Sequence, residues 1–511
     1  MTLGRTRGVA LRGVSGTVVE VECFIGQGLP AFEIGGLPDT ALRQAAQRVR
    51  AAAAGMGESL NQRPVMVNLS PAAIPKQGTA YDVSIAVAAL AANGVLRAEA
   101  AREVVHVAEL GLDGRLRHVA GVLPAVLAAR RAGHRHVVVA PDDVAEARLV
   151  EGLRVSTATT LEELVGAYRG LRGGDRLPEA ADQALAPVVP GPGRDLADVS
   201  GQTEARLALE LAAAGGHHLM LTGPPGSGKT MLAERLVTIL PRLTADEALE
   251  SLAVRSLVGE VPDGGLDVVP PFVAPHHSAS VPALVGGGSP HVLPGALSRA
   301  HRGVLFLDEA AEFTQSALQS LRQPLESGRV VIARARQQVV FPARVQLVLA
   351  ANPCPCGQAW GKGLGCRCRP TERRAYAARL SGPLVDRVDL QVDVPPVTLA
   401  SLGEGAGESS AAVAARVREA RSAQAARWRE HGWRLNSDVP GQVLRRAPWR
   451  LPAEATAAVD RALDIGDLTV RGYDRVLRVA WTCADLRGRE RPDRSDVGRA
   501  LLHRTRGRAA A

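Results

Sequence analysis

Eight consecutive residues, 223–230, place the strongest constraint on the fold of this chain. They read Gly-Pro-Pro-Gly-Ser-Gly-Lys-Thr and fit the pattern G-x-x-x-x-G-K-[ST]. The apolar run 218–222 precedes them and a helical pattern follows over 230–240, so we predict a strand, a loop and a helix in that order. In such a unit, glycines let backbone N–H groups converge on phosphate oxygens, the lysine reaches the outer phosphates and the threonine hydroxyl binds Mg²⁺. The residues predicted to form this nucleotide-binding loop are Gly223, Pro224, Pro225, Gly226, Ser227, Gly228, Lys229 and Thr230.

Two further apolar runs end in polar side chains. The run 304–307 is followed by Asp308 and Glu309, and the run 345–350 ends just before Asn352. Because the carboxyl ends of parallel strands meet at one edge of a sheet, we expect these side chains beside the phosphate loop. We predict that Asp308 holds Mg²⁺ with Thr230, that Glu309 polarises the attacking water and that Asn352 holds that water against the outermost phosphate.

The pattern of apolar residues divides the chain into several parts. A length of 511 residues predicts two to four domains. Strand-like runs alternate with alanine-rich helical stretches before a segment rich in proline and glycine, 171–195, which is typical of a linker. After a second glycine-rich break at 403–410, helical patterns dominate. We therefore predict an α+β domain over 1–170, a linker over 171–197, an α/β domain with a parallel sheet over 198–395 and a helical domain over 396–511.

The composition of the chain bears on its cellular location and on the binding partners it can have. The chain has no apolar segment typical of a signal peptide or a membrane span. Six cysteines are too few for a disulfide scaffold, so we predict a cytoplasmic protein. The net charge of +9 permits an anionic partner. Aromatic residues make up 3% of the chain, which favours contact with nucleic acid through phosphates over base stacking.

Longer motifs resemble a known family. In chain order they read GEVPDGGLDVVPPFVAPHHSASVPALVGGG (259–288), PGALSRAHRGVLFLDEAAEF, LRQPLESGRV, AANPCPCG and LSGPLVDRVDL. Together they resemble the ComM/YifB family of competence-related ATPases, which lies in the magnesium-chelatase-like branch of the AAA+ proteins. The resemblance runs from about residue 9 to about residue 503. It implies an AAA+ P-loop NTPase core with a parallel sheet, an α-helical lid domain, ATP and Mg²⁺ as ligands, and a homo-oligomeric ring, a hexamer.

The resemblance also covers the N-terminal domain. The segments 75–80 and 120–133 look like motifs of Lon-protease domains, an α+β fold of the ribosomal S5 domain 2 type. Lon-type proteases have a nucleophilic serine where this chain has Ala80, and lysines where it has Leu123 and Ala125. Because neither nucleophile nor base remains, we expect a fold reused for assembly or partner contact.

Two arginines acquire roles through the resemblance. Arg387 in GPLVDRVD matches the arginine finger, which reaches the γ-phosphate held by the neighbouring subunit. Arg471 in TVRGYDRVLRVA matches the sensor arginine of the helical domain. An arginine suits the charge of a phosphoryl-transfer transition state in any family. From the residues alone, an ordinary surface or salt-bridge role is the alternative for both.

The segment 329–341 is typical of a β-hairpin with Arg334 and Arg336 near its tip. In this branch of AAA+ proteins such a hairpin projects into the ring channel. Two guanidinium groups from each subunit would make a surface that follows the phosphates of single-stranded or branched DNA. A solvated turn is the alternative.

Four of the six cysteines form two C-x-C pairs nine residues apart, in a loop that contains four glycines. Four thiolates that converge in one loop suit a tetrahedral zinc ion. Free thiols or a redox-labile pair are the alternatives. The candidate zinc ligands are Cys354, Cys356, Cys366 and Cys368.

His276 and His277 lie in the long segment before the acidic strand. We expect adjacent histidines to point in different directions, and no carboxylate stands at ligand spacing. A hydrogen-bonding or substrate-contacting role is therefore predicted in preference to metal binding.

Three functions are compatible with these features. The first is a ring-forming ATPase that remodels DNA, resembling the branch-migration helicases of natural transformation; the ATPase motifs, the basic hairpin and the basic C-terminal region favour it. The second is an ATP-dependent protein remodeller, which the protease-like domain suggests but the arginine-rich hairpin does not. The third is a metal-chelatase motor subunit, although such subunits lack a Lon-like domain.

Overall fold

The computed structural model describes residues 3–171, 175–181, 193–261, 266–289, 291–334, 337–380, 384–399 and 407–505. No helix in these ranges is both long enough and apolar enough to cross a membrane. The architecture confirms the predicted fold class, with a mixed α/β N-terminal region, a core with a parallel sheet and a helical C-terminal region.

The N-terminal region is built on a seven-stranded mixed sheet in the order β3-β4-β2-β1-β5-β8-β9. Its strands, with the separate β6–β7 pair, are β1 (Leu3–Arg12), β2 (Ser15–Ile25), β3 (Phe32–Gly35), β4 (Val65–Ser70), β5 (Val105–Val107), β6 (Glu109–Leu110), β7 (Leu116–Arg117), β8 (His136–Val139) and β9 (Arg154–Thr157). Its helices are α1 (Thr40–Arg43), α2 (Ala45–Gly55), α3 (Asp82–Ala92), α4 (Ala98–Ala101), α5 (Val122–Arg131), α6 (Val144–Ala147) and α7 (Leu161–Gly170).

Helix α3 lies against this sheet at very short range. Ten of its residues are buried, from Asp82 to Ala91, and most of them are small or β-branched. A Cβ atom on Gly4 of β1 would lie 1.9 Å from the carbonyl oxygen of Ala88. Glycine on the strand and alanine on the helix therefore allow the two backbones to touch.

The central region contains a five-stranded, all-parallel sheet in the order β11-β14-β17-β10-β18. Its strands, with two hairpins, are β10 (Leu219–Thr222), β11 (Phe272–Val273), β12 (Gly286–Gly287), β13 (Leu293–Pro294), β14 (Val304–Leu307), β15 (Arg329–Arg334), β16 (Gln337–Pro342), β17 (Gln346–Ala351) and β18 (Leu390–Asp393). Its helices are α8 (Thr203–Gly215), α9 (Lys229–Ile239), α10 (Ala245–Ser256), α11 (Val281–Val285), α12 (Ala296–Arg299), α13 (Gln315–Ser320), α14 (Arg322–Ser327) and α15 (Pro370–Arg379).

Both faces of this sheet are buried, which explains the continuous apolar runs in the sequence. Along β14, Val304 and Phe306 join one hydrophobic core, while Leu305 and Leu307 join the other. The first of these cores continues into the helical C-terminal region, so the helices pack directly on the sheet.

The C-terminal region is a helical cluster around tryptophan. Trp428 and Trp481 are fully buried, and their ring centroids lie 6.1 Å apart. The indole Nε1 of Trp428 donates a hydrogen bond to Asn436 Oδ1 over 2.9 Å. The helices are α16 (Ser410–Arg427), α17 (Gly441–Leu444), α18 (Ala453–Asp464), α19 (Val470–Leu486) and α20 (Arg494–Thr505).

Part of the predicted linker packs on the N-terminal sheet. Leu177 is buried in the N-terminal core, and the backbone N–H of Ala180 donates to Val155 O of β9 over 2.8 Å. Residues 175–181 therefore lie along the edge of β9, while 172–174 and 182–192 fall outside the described ranges.

Helix α10 joins the N-terminal region to the central region. Leu252 and Ala253 belong to a hydrophobic core of the N-terminal sheet. At the end of the helix, Ser256 O accepts a hydrogen bond from Gly121 N over 3.0 Å, and the Ser256 hydroxyl donates to the Glu146 carboxylate. Burial raises the pKa of Glu146, although hydrogen bonds from the Ser256 hydroxyl and from the backbone N–H of Leu123 oppose this shift.

Candidate ATP site

The loop between β10 and α9 has the backbone that a phosphate site requires. Gly226 and Gly228 have φ angles of +75° and +90°, a region that side chains disfavour. A Cβ atom on Gly223 would lie 2.3 Å from Val394 O, so this glycine allows a close approach to the segment after β18. Within the described residues, the buried Ser227 Oγ has no hydrogen-bond partner, which leaves it available to a phosphate oxygen.

Lys229 is held at the inner side of the loop. Its Nζ donates hydrogen bonds to Gly223 O (2.8 Å), Pro224 O (2.9 Å) and Asn352 Oδ1 (3.2 Å). Burial lowers the pKa of this ammonium group, while the carboxylates of Asp308 and Glu309 oppose the shift. The structure therefore brings the predicted lysine and the predicted asparagine into direct contact.

The acidic end of β14 lies next to the start of α9. Asp308 Oδ2 accepts a hydrogen bond from Thr230 Oγ1 over 2.7 Å, so the two predicted Mg²⁺ ligands are neighbours. Glu309 has a φ of +50°, which is rare for a residue with a side chain, and strained backbone is common at functional sites. Its carboxylate is half exposed, at 51%, and can reach a water molecule.

His277 also lies at this site, at a position that the sequence alone did not connect to Glu309. Its Nδ1 lies 3.0 Å from Glu309 Oε2, and its ring centroid lies 4.1 Å from that of His276. The two rings lie side by side but contact different partners, and the hydrogen-bonding role predicted for these histidines agrees with the contact between His277 and Glu309. His277 follows β11, which pairs in parallel with β14, so its strand ends at the same edge of the sheet. With only two residues after two prolines, β11 has no recognisable strand pattern.

Arg387 lies away from the phosphate loop of its own chain, and the charge of Arg471 acts on it. Arg387 precedes β18, whose Leu390 pairs with Leu219 at the start of β10, whereas the phosphate loop follows the end of β10. Arg387 is buried and forms an ion pair with Glu326. Burial lowers the pKa of Arg387, Glu326 opposes this, and the positive charges of two neighbouring arginines, Arg322 and Arg471, add to it.

The four cysteines form a compact cluster. Cys354 Sγ lies 3.4 Å from Cys356 Sγ and 3.7 Å from Cys366 Sγ, and all four sulfur atoms lie within 4.8 Å of one another. Tetrahedral zinc with Zn–S bonds near 2.3 Å requires sulfur atoms about 3.8 Å apart. The arrangement is therefore suited to a metal ion bound by four thiolates, with Cys368 as the fourth ligand.

Comparisons with known proteins agree with this geometry. Three family models match the chain. Their descriptions are magnesium chelatase, subunit ChlI, for residues 195–402; subunit ChlI of Mg-chelatase, for residues 19–143; and magnesium chelatase, subunit ChlI C-terminal, for residues 407–504. The chain is 40% identical to the competence protein ComM of Haemophilus influenzae over 509 residues, which covers 99% of this chain and 98% of ComM. The chain belongs to the ComM/YifB magnesium-chelatase-like family.

Other relatives also match this chain over nearly its whole length. YifB of Escherichia coli is 39% identical over 499 residues, 97% of this chain and 95% of YifB. A protein of Mycobacterium tuberculosis is 49% identical over 508 residues, 99% of each chain. Because the magnesium-chelatase-like domain is an AAA+ domain, membership implies ATP and Mg²⁺, for which the phosphate loop and acidic strand end described above have fitting residues.

The basic hairpin of this ComM/YifB protein is formed by β15 and β16, as predicted. Arg334 is exposed at the end of β15, and its Nη2 donates to Gly288 O of a neighbouring hairpin over 2.6 Å. Arg12 of the N-terminal region donates from Nε to Gln338 O over 2.8 Å. Arg336 lies outside the described residues.

Apolar residues occupy the three positions at which Lon-type proteases have catalytic residues, and their surroundings are apolar as well. Leu123 and Ala125 are buried at 0% and 2% exposure, inside the core beneath α5. Ala80 packs against the same core. These three side chains fill space, and none of them carries a nucleophilic or basic group.

Proposed function

We propose that this chain is a ring-forming ATPase that couples ATP hydrolysis to remodelling of DNA, as a branch-migration helicase in natural transformation or recombination. The observation that carries the ATPase part is the meeting of three strand ends in one site. Lys229 contacts Asn352 across β10 and β17, and Thr230 contacts Asp308 across β10 and β14.

Each residue of the site then has a task. The phosphate loop and Lys229 would hold the phosphates of ATP, and Thr230 and Asp308 would hold Mg²⁺. Bound ATP supplies the phosphoryl group that is transferred to water. Glu309 accepts a proton from that water, and Asn352 orients it.

The arginines support assembly into a ring. Arg387 comes just before the start of β18, at the end of the sheet away from the phosphate loop, and Arg471 is close enough for its charge to act on Arg387. A second subunit that presented this end of the sheet to the phosphate loop would supply the missing positive charge. Head-to-tail contacts of this kind close into rings, and we propose a homohexamer.

DNA is the proposed substrate of the ring. The chain has a net charge of +9, and Arg334 is exposed on a hairpin that the N-terminal region supports through Arg12. A relative at 40% identity is named a competence protein. A ring of guanidinium groups from Arg334 and Arg336 would contact DNA phosphates without reading the bases.

The ion proposed for the four-cysteine cluster is Zn²⁺. Thiolate ligands favour soft or borderline metals, and a tetrahedral set of four sulfurs suits zinc. Cys354 is buried, Cys366 and Cys368 are half-buried and Cys356 is exposed, so the cluster lies at the surface with one of its four ligands enclosed.

Steady-state ATP hydrolysis tests the proposal. The purified protein is assayed alone and with a four-way DNA junction, single-stranded DNA or an unfolded protein. We expect stimulation by junction DNA and strand products only with active enzyme, and a loss of kcat of at least about 100-fold in Glu309→Gln. Stimulation by unfolded protein alone would favour a protein remodeller. Indifference to both would favour the chelatase motor that the family models name.

A further inference from the structure

The cysteine loop contacts the candidate ATP site at two points. Cys354 follows Asn352 by two residues and is fully buried, and Asn352 accepts a hydrogen bond from Lys229. Further along the loop, a Cβ atom on Gly357 would lie 2.4 Å from Cδ of Pro225. The loop therefore packs directly on the phosphate loop.

The far side of the cysteine loop leads to the acidic strand end. Cys368 lies two residues before α15, and Arg379 at the end of α15 donates from Nη1 to Ala311 O over 3.3 Å. The Arg379 guanidinium also lies 3.6 Å from the carboxylate of Glu312. These contacts join α15 to the turn that begins at Glu309.

The loop has little else to hold its shape. Between the two C-x-C pairs lie four glycines, and Leu364 is 92% exposed. A segment with so few buried apolar groups cannot offset its own chain entropy, so a bound metal would supply the ordering free energy.

We propose that Zn²⁺ bound by the four thiolates fixes the ATP site, so that nucleotide binding depends on an occupied cysteine cluster. On binding, the thiol protons leave to solvent, and four thiolates with one Zn²⁺ retain two negative charges. Arg367 and Arg369 are the chain neighbours of Cys368, so two positive charges stand next to this ligand in the sequence. The inference rests on the proposed ATPase function, because it gives the metal a role at that same site.

The test measures zinc and nucleotide separately on the full-length protein. Metal content is measured by mass spectrometry, and affinity for a fluorescent ATP analogue is measured as purified, after chelation and after zinc is added back. We expect one zinc per chain, at least 10-fold weaker nucleotide binding after chelation, and recovery with zinc. Trp360 lies in the loop, so chelation should also change a fluorescence signal that Trp360→Phe removes.

Variants separate the two sites. Cys366→Ser should lose zinc and bind nucleotide at least 10-fold more weakly, while Leu364→Ser, in the same loop, should behave as wild type. Gly357→Ala should keep zinc but weaken nucleotide binding, because the added methyl group displaces Pro225. Lys229→Ala should keep zinc and lose nucleotide. If Cys366→Ser does not fold, the chelated wild type gives the same comparison.

The outcomes distinguish failure of the inference from failure of the proposed function. Equal nucleotide affinity with and without zinc, iron in place of zinc, or a disulfide with no metal would overturn the inference. A zinc-loaded wild type that binds no nucleotide would instead overturn the proposed ATPase function.

Discussion

His277 and Glu309 are joined by a 3.0 Å contact between Nδ1 and Oε2, and they follow neighbouring parallel strands. The contact restricts a carboxylate that is otherwise half exposed and attached to a left-handed backbone. Because Glu309 is the proposed acceptor of the water proton, the imidazole is placed to orient it.

Replacing His277 by alanine should lower kcat for ATP hydrolysis roughly 10-fold and leave the KM for ATP unchanged, as expected for a group that orients a catalytic residue. Steady-state kinetics over a range of ATP concentrations measure both constants. His276→Ala is the matched control, because His276 bonds the Ser278 hydroxyl instead. Equal losses in the two variants would show that His277 acts only through local packing.

Mixing two inactive variants tests the placement of Arg387. Lys229→Ala lacks the phosphate-loop lysine, and Arg387→Ala lacks the charge at the opposite edge of the sheet. In a head-to-tail ring assembled from equal amounts, about a quarter of the interfaces would combine an intact loop with an intact arginine. We therefore expect the mixture to recover about a quarter of the wild-type rate, measured after exchange of subunits. A mixture as inactive as its components would mean that Arg387 does not act between subunits.

Strands with both faces buried could be predicted from the sequence, while contacts between distant segments could not. A strand that is buried on both faces needs a continuous apolar run, so β10, β14 and β17 could be recognised in the sequence. Asp308 and Asn352 follow the ends of two of these runs and were predicted as site residues for that reason. The cysteine cluster was visible because its ligands are close in the sequence. The strand before His277 has two residues, too few for a pattern.

Long-range contacts leave no mark on the local pattern. Three charged neighbours of Arg387 come from α14 and the helical region, namely Glu326, Arg322 and Arg471. The packing of α10 could not be predicted either. An amphipathic helix pattern does not show which domain its apolar face contacts, and in the structure this face joins the hydrophobic core around Val122 of the N-terminal region.

The basic hairpin leads to a prediction about DNA. Arg334→Ala should reduce the stimulation of ATP hydrolysis by DNA several-fold and leave the rate without DNA unchanged, because Arg334 lies outside the ATP site. The salt dependence of DNA binding should also become less steep, since fewer phosphates are neutralised. Arg329→Ala is the control, as Arg329 is exposed at the other end of the same strand. Equal effects of both variants would argue against a specific role of the tip.

Acid should destabilise the packing between the sheet and the helical region through His217. Its imidazole is fully buried, with Nε2 2.8 Å from Thr482 Oγ1 of α19. Burial lowers the pKa of His217 from 6.5 to about 4. Between these values the unfolded chain binds a proton that the folded chain does not, so stability is complete above pH 6.5 and falls as the pH drops towards 4.

Titration of His217 should lower the free energy of unfolding by about 2 kcal/mol between pH 7 and pH 5, because each pH unit below 6.5 costs about 1.4 kcal/mol. Tryptophan fluorescence follows unfolding, because Trp428 and Trp481 are buried in the same hydrophobic core as the sheet. His217→Gln removes the titrating group and should make unfolding less dependent on pH by that amount. His291→Gln, at an exposed histidine, should keep the wild-type dependence; an unchanged pH dependence in His217→Gln would assign the acid sensitivity to other buried groups.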